Sequence, residues 1–290
     1  MDHSSSAVSK VTVPLILERK LRGEKVTCLT AYDYPTARLV DEAGIDMILV
    51  GDSLAQTVLG YDSTVPVTVE EMLHHLRAAR RGVRRALLIG DLPYGAYHVS
   101  DEQAVASAIR FLKEGGAEAV KLEGGRKRAS LVRKLVEAQI PVMGHIGLTP
   151  QSIHAQGGYR VQGRTLDAAN DLLMDAEALE DAGAFALVLE GIPRELATLI
   201  TRRLRIATIG IGAGPDCDGQ VLVFHDLVGF SYTPPAKFVR RYTNVREMVH
   251  QALTSFRADV VEGRYPDDRE SYHWTAAVRQ EFEKEATPSA

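Results

Sequence analysis

The stretch FALVLEGIPRELATLITRRLRIATIGIG, residues 185–212, decides the fold because it contains one complete strand–helix–strand unit. Its two ends, residues 185–191 and 206–212, are short and continuously apolar, which is typical of parallel strands covered on both faces. Between them, Pro193 suits the first turn of a helix that continues through RELATLITRRL. The stretch therefore predicts two neighbouring parallel strands joined by a helix.

The same unit recurs along the chain. Six further apolar runs are each followed by a helical pattern: VTCLTAYD (26–33), DMILVGD (46–52), RALLIGD (85–91), EAVKLEG (118–124), IPVMGHIG (140–147) and QVLVFHD (220–226). No obvious domain linker separates them. The alternation predicts an α/β fold, a (β/α)8 TIM barrel, with a doubly wound open sheet as the structural alternative.

The prediction divides the chain into three parts. Residues 1–10 are expected to be a flexible N-terminus, residues 11–260 the single barrel domain with its exterior helices, and residues 261–290 a partly mobile C-terminal extension of helical character. The catalytic machinery is expected within the barrel.

Composition narrows the class of protein. The 290 residues are 45% apolar, and the net charge of −4 gives no basic signature for nucleic acid. Neither a signal-peptide pattern nor an apolar run of about 18 residues is found, so no membrane association is expected. Cys28 and Cys217 lack metal-ligand spacing and are expected to be free thiols in the cytoplasm, with a single bridge between them as the alternative.

Acidic residues end three consecutive strands, where the active site of a TIM barrel lies. These are Asp52, Asp91 and Glu123. Their mutual repulsion would raise their pKa values unless a cation lay among them, and oxygen ligands favour Mg²⁺ over Zn²⁺. The three acids therefore predict a Mg²⁺ site. The alternative is that each acid caps the loop or helix that follows it.

Three more ionisable residues lie near strand ends. Lys121 shares a strand face with Glu123 and would meet the anionic part of a substrate or a developing enolate, unless the two form a plain ion pair. Glu190 is the candidate general base; alternatively it pairs with an arginine or caps the turn before Pro193. His145 would hydrogen-bond a substrate oxygen, with a satisfied core histidine as the alternative.

Two glycine-rich stretches follow strands. GIGAGPDCDG (210–219) would bind phosphate through backbone N–H groups or, alternatively, serve tight turns and close packing. HAQGGYRVQGRT (154–165) would be a mobile lid or an ordinary surface loop.

Nine motifs in register carry a resemblance to a known family over roughly residues 11–255. They are LTAYDYPTARLVDEAGID, LVGDS, LGYDSTVPVTVEEMLHH, GDLPYGAY, AVKLEGG, PVMGHIGLTPQS, GGYRVQGR, LEGIP and GIGAGPDCDGQVLVFHDLVG. In this order they resemble the ketopantoate hydroxymethyltransferase family. The resemblance implies a (β/α)8 barrel that transfers a hydroxymethyl group from methylene-tetrahydrofolate to α-ketoisovalerate with Mg²⁺, giving ketopantoate for pantothenate biosynthesis. It also implies a homo-oligomer, a decamer.

The resemblance assigns a role to each matching residue. It implies that Asp52, Asp91 and Glu123 are the metal-associated acids and that Glu190 is the general base. The keto-acid contacts are then Asp52, Ser53, Asp91 and Lys121, and Lys121 also stabilises the enolate. Under this interpretation the GIGAG stretch serves barrel packing, since neither the keto acid nor ketopantoate carries phosphate.

Two alternative functions belong to other classes. One is a Mg²⁺-dependent α-keto-acid lyase resembling isocitrate lyase and phosphoenolpyruvate mutase, whose barrels commonly present a reactive cysteine in a flexible loop. Neither Cys28 in the first strand nor Cys217 after the seventh is an obvious match. The other is a non-catalytic barrel, which would be expected to have lost the acids or Glu190.

Overall fold

The computed structural model describes residues 9–286, which fall into two compact units. One unit ends at Tyr242 and the other begins at Thr243. Residues 1–8 of the expected flexible N-terminus and residues 287–290 of the expected extension lie outside the described residues. The placement of residues 243–260 with the barrel domain stays a prediction.

The first unit is built on a closed barrel of eight parallel strands. The strands are β1 Val26–Thr30, β2 Met47–Val50, β3 Leu87–Asp91, β4 Ala119–Lys121, β5 Val142–Gly147, β6 Ala186–Glu190, β7 Ala207–Ile211 and β8 Gly219–Leu222. Each strand pairs with its neighbour in sequence, and β8 pairs with β1 from Val26↔Gly219 to Leu29↔Leu222. The predicted TIM barrel is confirmed, and the open sheet is excluded.

Helices connect the strands and cover the sheet. They are α1 Val13–Arg22, α2 Tyr34–Glu42, α3 Leu54–Thr57, α4 Val69–Gly82, α5 Asp101–Lys113, α6 Ala129–Glu137, α7 Ile153–Gln156, α8 Leu166–Asp181, α9 Arg194–Arg203 and α10 Phe224–Leu227. Short 3₁₀ turns occupy Arg126–Arg128 and Pro150–Ser152. Helix α9 begins directly after Pro193, one residue later than a first-turn proline would place it.

Alternation along the strands separates an interior core from an exterior one. One buried cluster includes inward-facing Cys28, Met47 and Ile89 together with Ile16 of α1. A larger cluster between sheet and helices includes Phe111 of α5. Because successive side chains of a strand point to opposite faces, the polar residues that follow the interior apolar ones by two positions also point inward.

The second unit contains α11 Val245–Val261, a 3₁₀ turn at Asp268–Glu270, and α12 Ala276–Ala286. Neither helix has a buried residue. Apolar side chains such as Leu253, Phe256 and Trp274 are exposed. Across residues 9–286, no helix is long and apolar enough to cross a membrane.

Candidate active site

The carboxyl ends of the strands bring all the predicted site residues to one pocket of ≈ 190 Å³. Four of them continue the inward-facing series by two positions, Asp91 after Ile89, Lys121 after Ala119, His145 after Met143 and Glu190 after Val188. Asp52 with Ser53, and Glu123, lie just beyond the ends of β2 and β4 and line the same pocket. At the carboxyl ends of the strands, a layer of charged side chains therefore lies next to the layer of apolar side chains inside the barrel.

Lys121 is paired chiefly with Asp91, not with Glu123. Its Nζ donates to both carboxylate oxygens of Asp91, at 2.8 and 2.9 Å, whereas Glu123 Oε1 lies 3.9 Å away. The two partners occupy the same register position on β3 and β4. Burial lowers the pKa of Lys121, but the charges of Asp91 and Glu123 outweigh burial and raise it. The ammonium group therefore stays charged inside the barrel.

His145 lies between two carboxylates. Its Nδ1 is 3.4 Å from Glu123 Oε1, and its Nε2 is 3.2 Å from Glu190 Oε2, although neither contact has the angle of a hydrogen bond. Burial and Lys121 lower the pKa of His145, but Glu123 and Glu190 outweigh both and raise it to about 9. The two carboxylates therefore favour the protonated imidazole, which can donate from both ring nitrogens. The role of His145 as a donor to a substrate oxygen stays a prediction.

The three metal-site acids differ in their electrostatics. Burial and then the charges of Asp91 and Glu123 raise the pKa of Asp52 well above its usual range. Burial also raises the pKa of Asp91, although Lys121 opposes it. Burial would raise the pKa of Glu123, but His145 and Lys121 lower it. The site thus contains more acidic groups than buried cations, and ionisation of Asp52 in particular is disfavoured.

Mg²⁺ with water ligands fits this donor set. Glu123 Oε1 is buried without a hydrogen-bond partner, and Asp52 is ionised only at a cost that a nearby cation would remove. Across the described residues, no three His, Cys, Asp or Glu side chains are close enough to enclose a metal between them. Mg²⁺ commonly uses one or two carboxylates and keeps several waters. The set consisting of Asp52, Asp91 and Glu123 stays a prediction.

Sequence reasoning missed the residues that hold these acids in place. Gln151 follows β5, is 4% exposed, and donates Nε2 to Asp52 Oδ2 at 2.9 Å. Tyr97 donates to Gln151 Oε1 at 2.6 Å. Tyr32, also buried, shares a 2.7 Å hydrogen bond with Ser53 Oγ. All three stand within the motifs quoted above, but no spacing rule connects them to the acids.

The glycine-rich stretch after β7 serves packing. A Cβ on Gly219 would lie 2.4 Å from the Val26 carbonyl oxygen, so β1 and β8 can approach only because this residue is glycine. Gly212 has φ +63°, which other residues rarely adopt. In the stretch 154–165, Tyr159 lines the pocket and is half-exposed, and the lid role stays a prediction.

Both cysteines are buried and unbridged. Burial raises the pKa of the Cys28 thiol to about 12, and burial also raises that of Cys217. A thiol is reactive only as its thiolate, so neither residue has the surroundings of a catalytic cysteine.

Solved structures that resemble the chain share its barrel fold. Phosphonopyruvate hydrolase in complex with oxalate and Mg²⁺ aligns with a TM-score of 0.58 and 13% identity, covering 94% of this chain and 95% of that chain. At this level of identity the likeness shows the fold alone.

Sequence relatives show the family. The 3-methyl-2-oxobutanoate hydroxymethyltransferase of Koribacter versatilis is 62% identical over 265 residues, covering 91% of this chain and 90% of that relative. The relative of the same name from Carboxydothermus hydrogenoformans is 53% identical over 265 residues, covering 91% of this chain and 96% of that relative. The family model described as ketopantoate hydroxymethyltransferase matches residues 10–268. Since that match and these relatives span nearly the whole chain, the chain belongs to the ketopantoate hydroxymethyltransferase family.

Proposed function

We propose that the chain transfers a hydroxymethyl group from methylene-tetrahydrofolate to 3-methyl-2-oxobutanoate, with Mg²⁺, giving ketopantoate. In the balanced reaction, the C3–H bond of the keto acid and both C–N bonds of the folate methylene group break. A C–C bond and a C–O bond form, with the hydroxyl oxygen supplied by water. The C3 proton and one water proton end on the folate nitrogens, so no oxidant or reductant is needed.

The polar half of the pocket suits the keto acid. Asp52, Asp91 and Glu123 would hold Mg²⁺ directly or through its water ligands. The bound ion would supply Lewis-acid chemistry that makes the C3 proton of the keto acid removable. Ser53 would donate to the substrate, and Lys121 would stabilise the negative charge that develops on the keto oxygen. On the other side, apolar residues that line the pocket suit the two methyl groups, namely Val188, Ile211 and Val221.

Glu190 is the proposed base for the C3 proton. Its side chain is 16% exposed, against 3% for Glu123 and 2% for Asp91, so it is the most accessible of these three acids. His145, 3.2 Å from Glu190 Oε2, would orient the carboxylate and donate to a substrate oxygen. Deprotonation at C3 then leaves a carbon nucleophile facing the one-carbon donor.

The observation that carries this proposal is the convergence of Asp52, Asp91, Lys121, Glu123 and Glu190 on one pocket in a chain that belongs to this family. A non-catalytic barrel would not need this buried cluster of acids, which outnumbers its cations and is costly to maintain. The lyase alternative is not favoured, because the relatives are named hydroxymethyltransferases and both cysteines are buried.

Assembly and location are further parts of the proposal. We propose a homo-oligomer, a decamer by the family resemblance, and a reaction in the cytoplasm. The exposed apolar side chains of α11, among them Leu253 and Phe256, support self-association.

The test is proton NMR of 3-methyl-2-oxobutanoate in D₂O with the purified protein. With Mg²⁺ we expect loss of the C3 proton signal without folate, and ketopantoate only when methylene-tetrahydrofolate is added. A chelator should stop both reactions. Absence of exchange and of product with Mg²⁺ and folate present would refute the proposed reaction.

A further inference from the structure

Gln151 bridges the loops that follow four consecutive strands. Its Nε2 donates to Asp52 Oδ2 at 2.9 Å and to the Leu92 carbonyl at 3.0 Å, beyond β2 and β3. Its backbone N–H donates to Glu123 Oε2 at 3.0 Å, beyond β4. The residue itself follows β5. One side chain and its own peptide group thus contact two of the three acids of the proposed cation site.

The orientation of the Gln151 amide is fixed by its partners. Tyr97 accepts a hydrogen bond at its hydroxyl oxygen from the Glu123 N–H at 3.1 Å, so its own proton is free to go to Gln151 Oε1 at 2.6 Å. The other two partners, a carboxylate and a carbonyl, can only accept. If the amide were rotated by 180°, its oxygen would face these two acceptors and no hydrogen bond could form. In the observed orientation, the Nε2 group donates to both acceptors and Oε1 accepts from Tyr97.

The contacts divide the oxygens of each acid. Gln151 occupies Oδ2 of Asp52 and Oε2 of Glu123. Glu123 Oε1 has no hydrogen-bond partner, and Asp52 Oδ1 accepts no hydrogen bond from any residue in the range 9–286. Gln151 therefore holds each acid by one oxygen and leaves the other without a hydrogen bond, facing the pocket. Glu123 Oε1 also lies 3.4 Å from His145 Nδ1 and 3.9 Å from Lys121 Nζ, so a bound cation would share this oxygen with them.

We propose that Gln151 is a positioning residue that sets the separation of Asp52 and Glu123 and leaves one oxygen of each for the divalent cation. This inference rests on the proposed function, because it concerns the same site. Mg²⁺ requires near-octahedral geometry at about 2.0–2.1 Å, so small displacements of either carboxylate weaken binding. Partners that orient metal ligands typically contribute about 10–100-fold to affinity or activity.

The test compares Mg²⁺ binding by calorimetry, without substrate, in wild type and Gln151→Met. The variant keeps the length of the side chain and the backbone bond to Glu123, but it releases Asp52. We expect Mg²⁺ affinity to fall about 10-fold or more, with C3 exchange reduced at limiting Mg²⁺ and partly restored at saturating Mg²⁺. Gln220→Met is the control, because Gln220 is exposed on β8 and its amide donates to the Gly214 carbonyl at 2.9 Å, away from the pocket.

The outcomes are separable. If Gln151→Met is less heat-stable but binds Mg²⁺ like wild type, the role of Gln151 is structural and the inference is wrong. If the variant does not fold, Gln151→Asn decides, since it keeps an amide and the backbone bond to Glu123 but draws the amide back from Asp52: reduced Mg²⁺ affinity supports the inference, and unchanged affinity overturns it. If wild type itself neither binds Mg²⁺ nor exchanges C3, the proposed function fails first.

Discussion

Lys121 Nζ lies 2.8 and 2.9 Å from the two carboxylate oxygens of Asp91, and the two residues face each other across neighbouring strands. The ammonium group is therefore shared with an acid of the site before any substrate arrives. Because the pair is buried, removing one partner leaves the other charge uncompensated. Because Lys121 already bonds both carboxylate oxygens of Asp91, a bound cation would compete with Lys121 for this acid.

Lys121→Met is expected to separate keto-acid binding from cation binding. Loss of the ammonium group should weaken keto-acid affinity and lower kcat/KM by about 100-fold. Mg²⁺ affinity should not fall, because a competing positive charge beside Asp91 is gone. Calorimetric titrations with Mg²⁺ and then with keto acid measure both, and exposed Lys113→Met is the control. A parallel loss of both affinities would show that Lys121 supports the site as a whole.

Glu190→Gln is expected to abolish proton removal while leaving binding intact. The amide has nearly the same shape but cannot accept the C3 proton, so deuterium exchange should slow by about 100-fold or more. Keto-acid and Mg²⁺ affinities should stay within about 3-fold, a difference of well under 1 kcal/mol. Glu195→Gln, on the exposed side of α9, serves as the control. Exchange at the wild-type rate in Glu190→Gln would assign the base to another residue.

The fold was predictable from sequence because each strand–helix unit repeats the same apolar pattern. The site was also predictable in outline, since inward-facing polar residues such as His145 and Glu190 come two positions after apolar ones. The ion-pair partner of Lys121 could not be predicted from the sequence. Sequence placed Glu123 beside it on the same face, but the residue two positions along lies farther away than the register partner on the adjacent strand.

Contacts made through loops also lay beyond sequence reasoning. Gln151 meets Tyr97 across 54 residues and Asp52 across 99, and both contacts depend on how three loops fold over the strand ends. Local patterns carry no information about such distances. Apart from the position of Gln151 within a quoted motif, nothing in the sequence indicated that its amide contacts the acids.

Tyr32→Phe is expected to act on the site chiefly through Ser53. Tyr32 is fully buried, so the ring should stay in place while the 2.7 Å hydrogen bond to Ser53 Oγ is lost. A neutral hydrogen bond contributes about 1 kcal/mol, which corresponds to about a 5-fold rise in the Kd of the keto acid. Tyr34→Phe is the matched control, because its hydroxyl bonds exposed Arg38. An unchanged Kd in Tyr32→Phe would show that the bond from Tyr32 is not needed for the keto-acid contact proposed for Ser53.

Asp46, at the opposite end of the barrel from the pocket, anchors the start of β2. It accepts hydrogen bonds from the Thr27 N–H and hydroxyl at 3.0 and 2.8 Å, and it pairs with Arg85 at 3.0 Å and Arg19 at 2.8 Å. Burial would raise its pKa, but the bonds from Thr27 and Arg85 and the charge of Arg19 outweigh burial and hold the pKa below its usual range.

Asp46→Asn is therefore expected to change how stability depends on pH. Since the folded-state pKa is depressed, the stabilisation by Asp46 is fully present above the unfolded pKa near 3.9 and is lost as pH falls through the folded value. At pH 7 the variant should be less stable by about 3 kcal/mol, the cost of breaking a buried ion pair. That difference should shrink steadily below about pH 4. Differential scanning calorimetry from pH 7 to pH 3 measures it, with exposed Asp181→Asn as the control. If the difference in stability stays constant over this range, the charge of Asp46 contributes nothing to stability. The effect of the substitution would then come from the geometry of the hydrogen bonds alone.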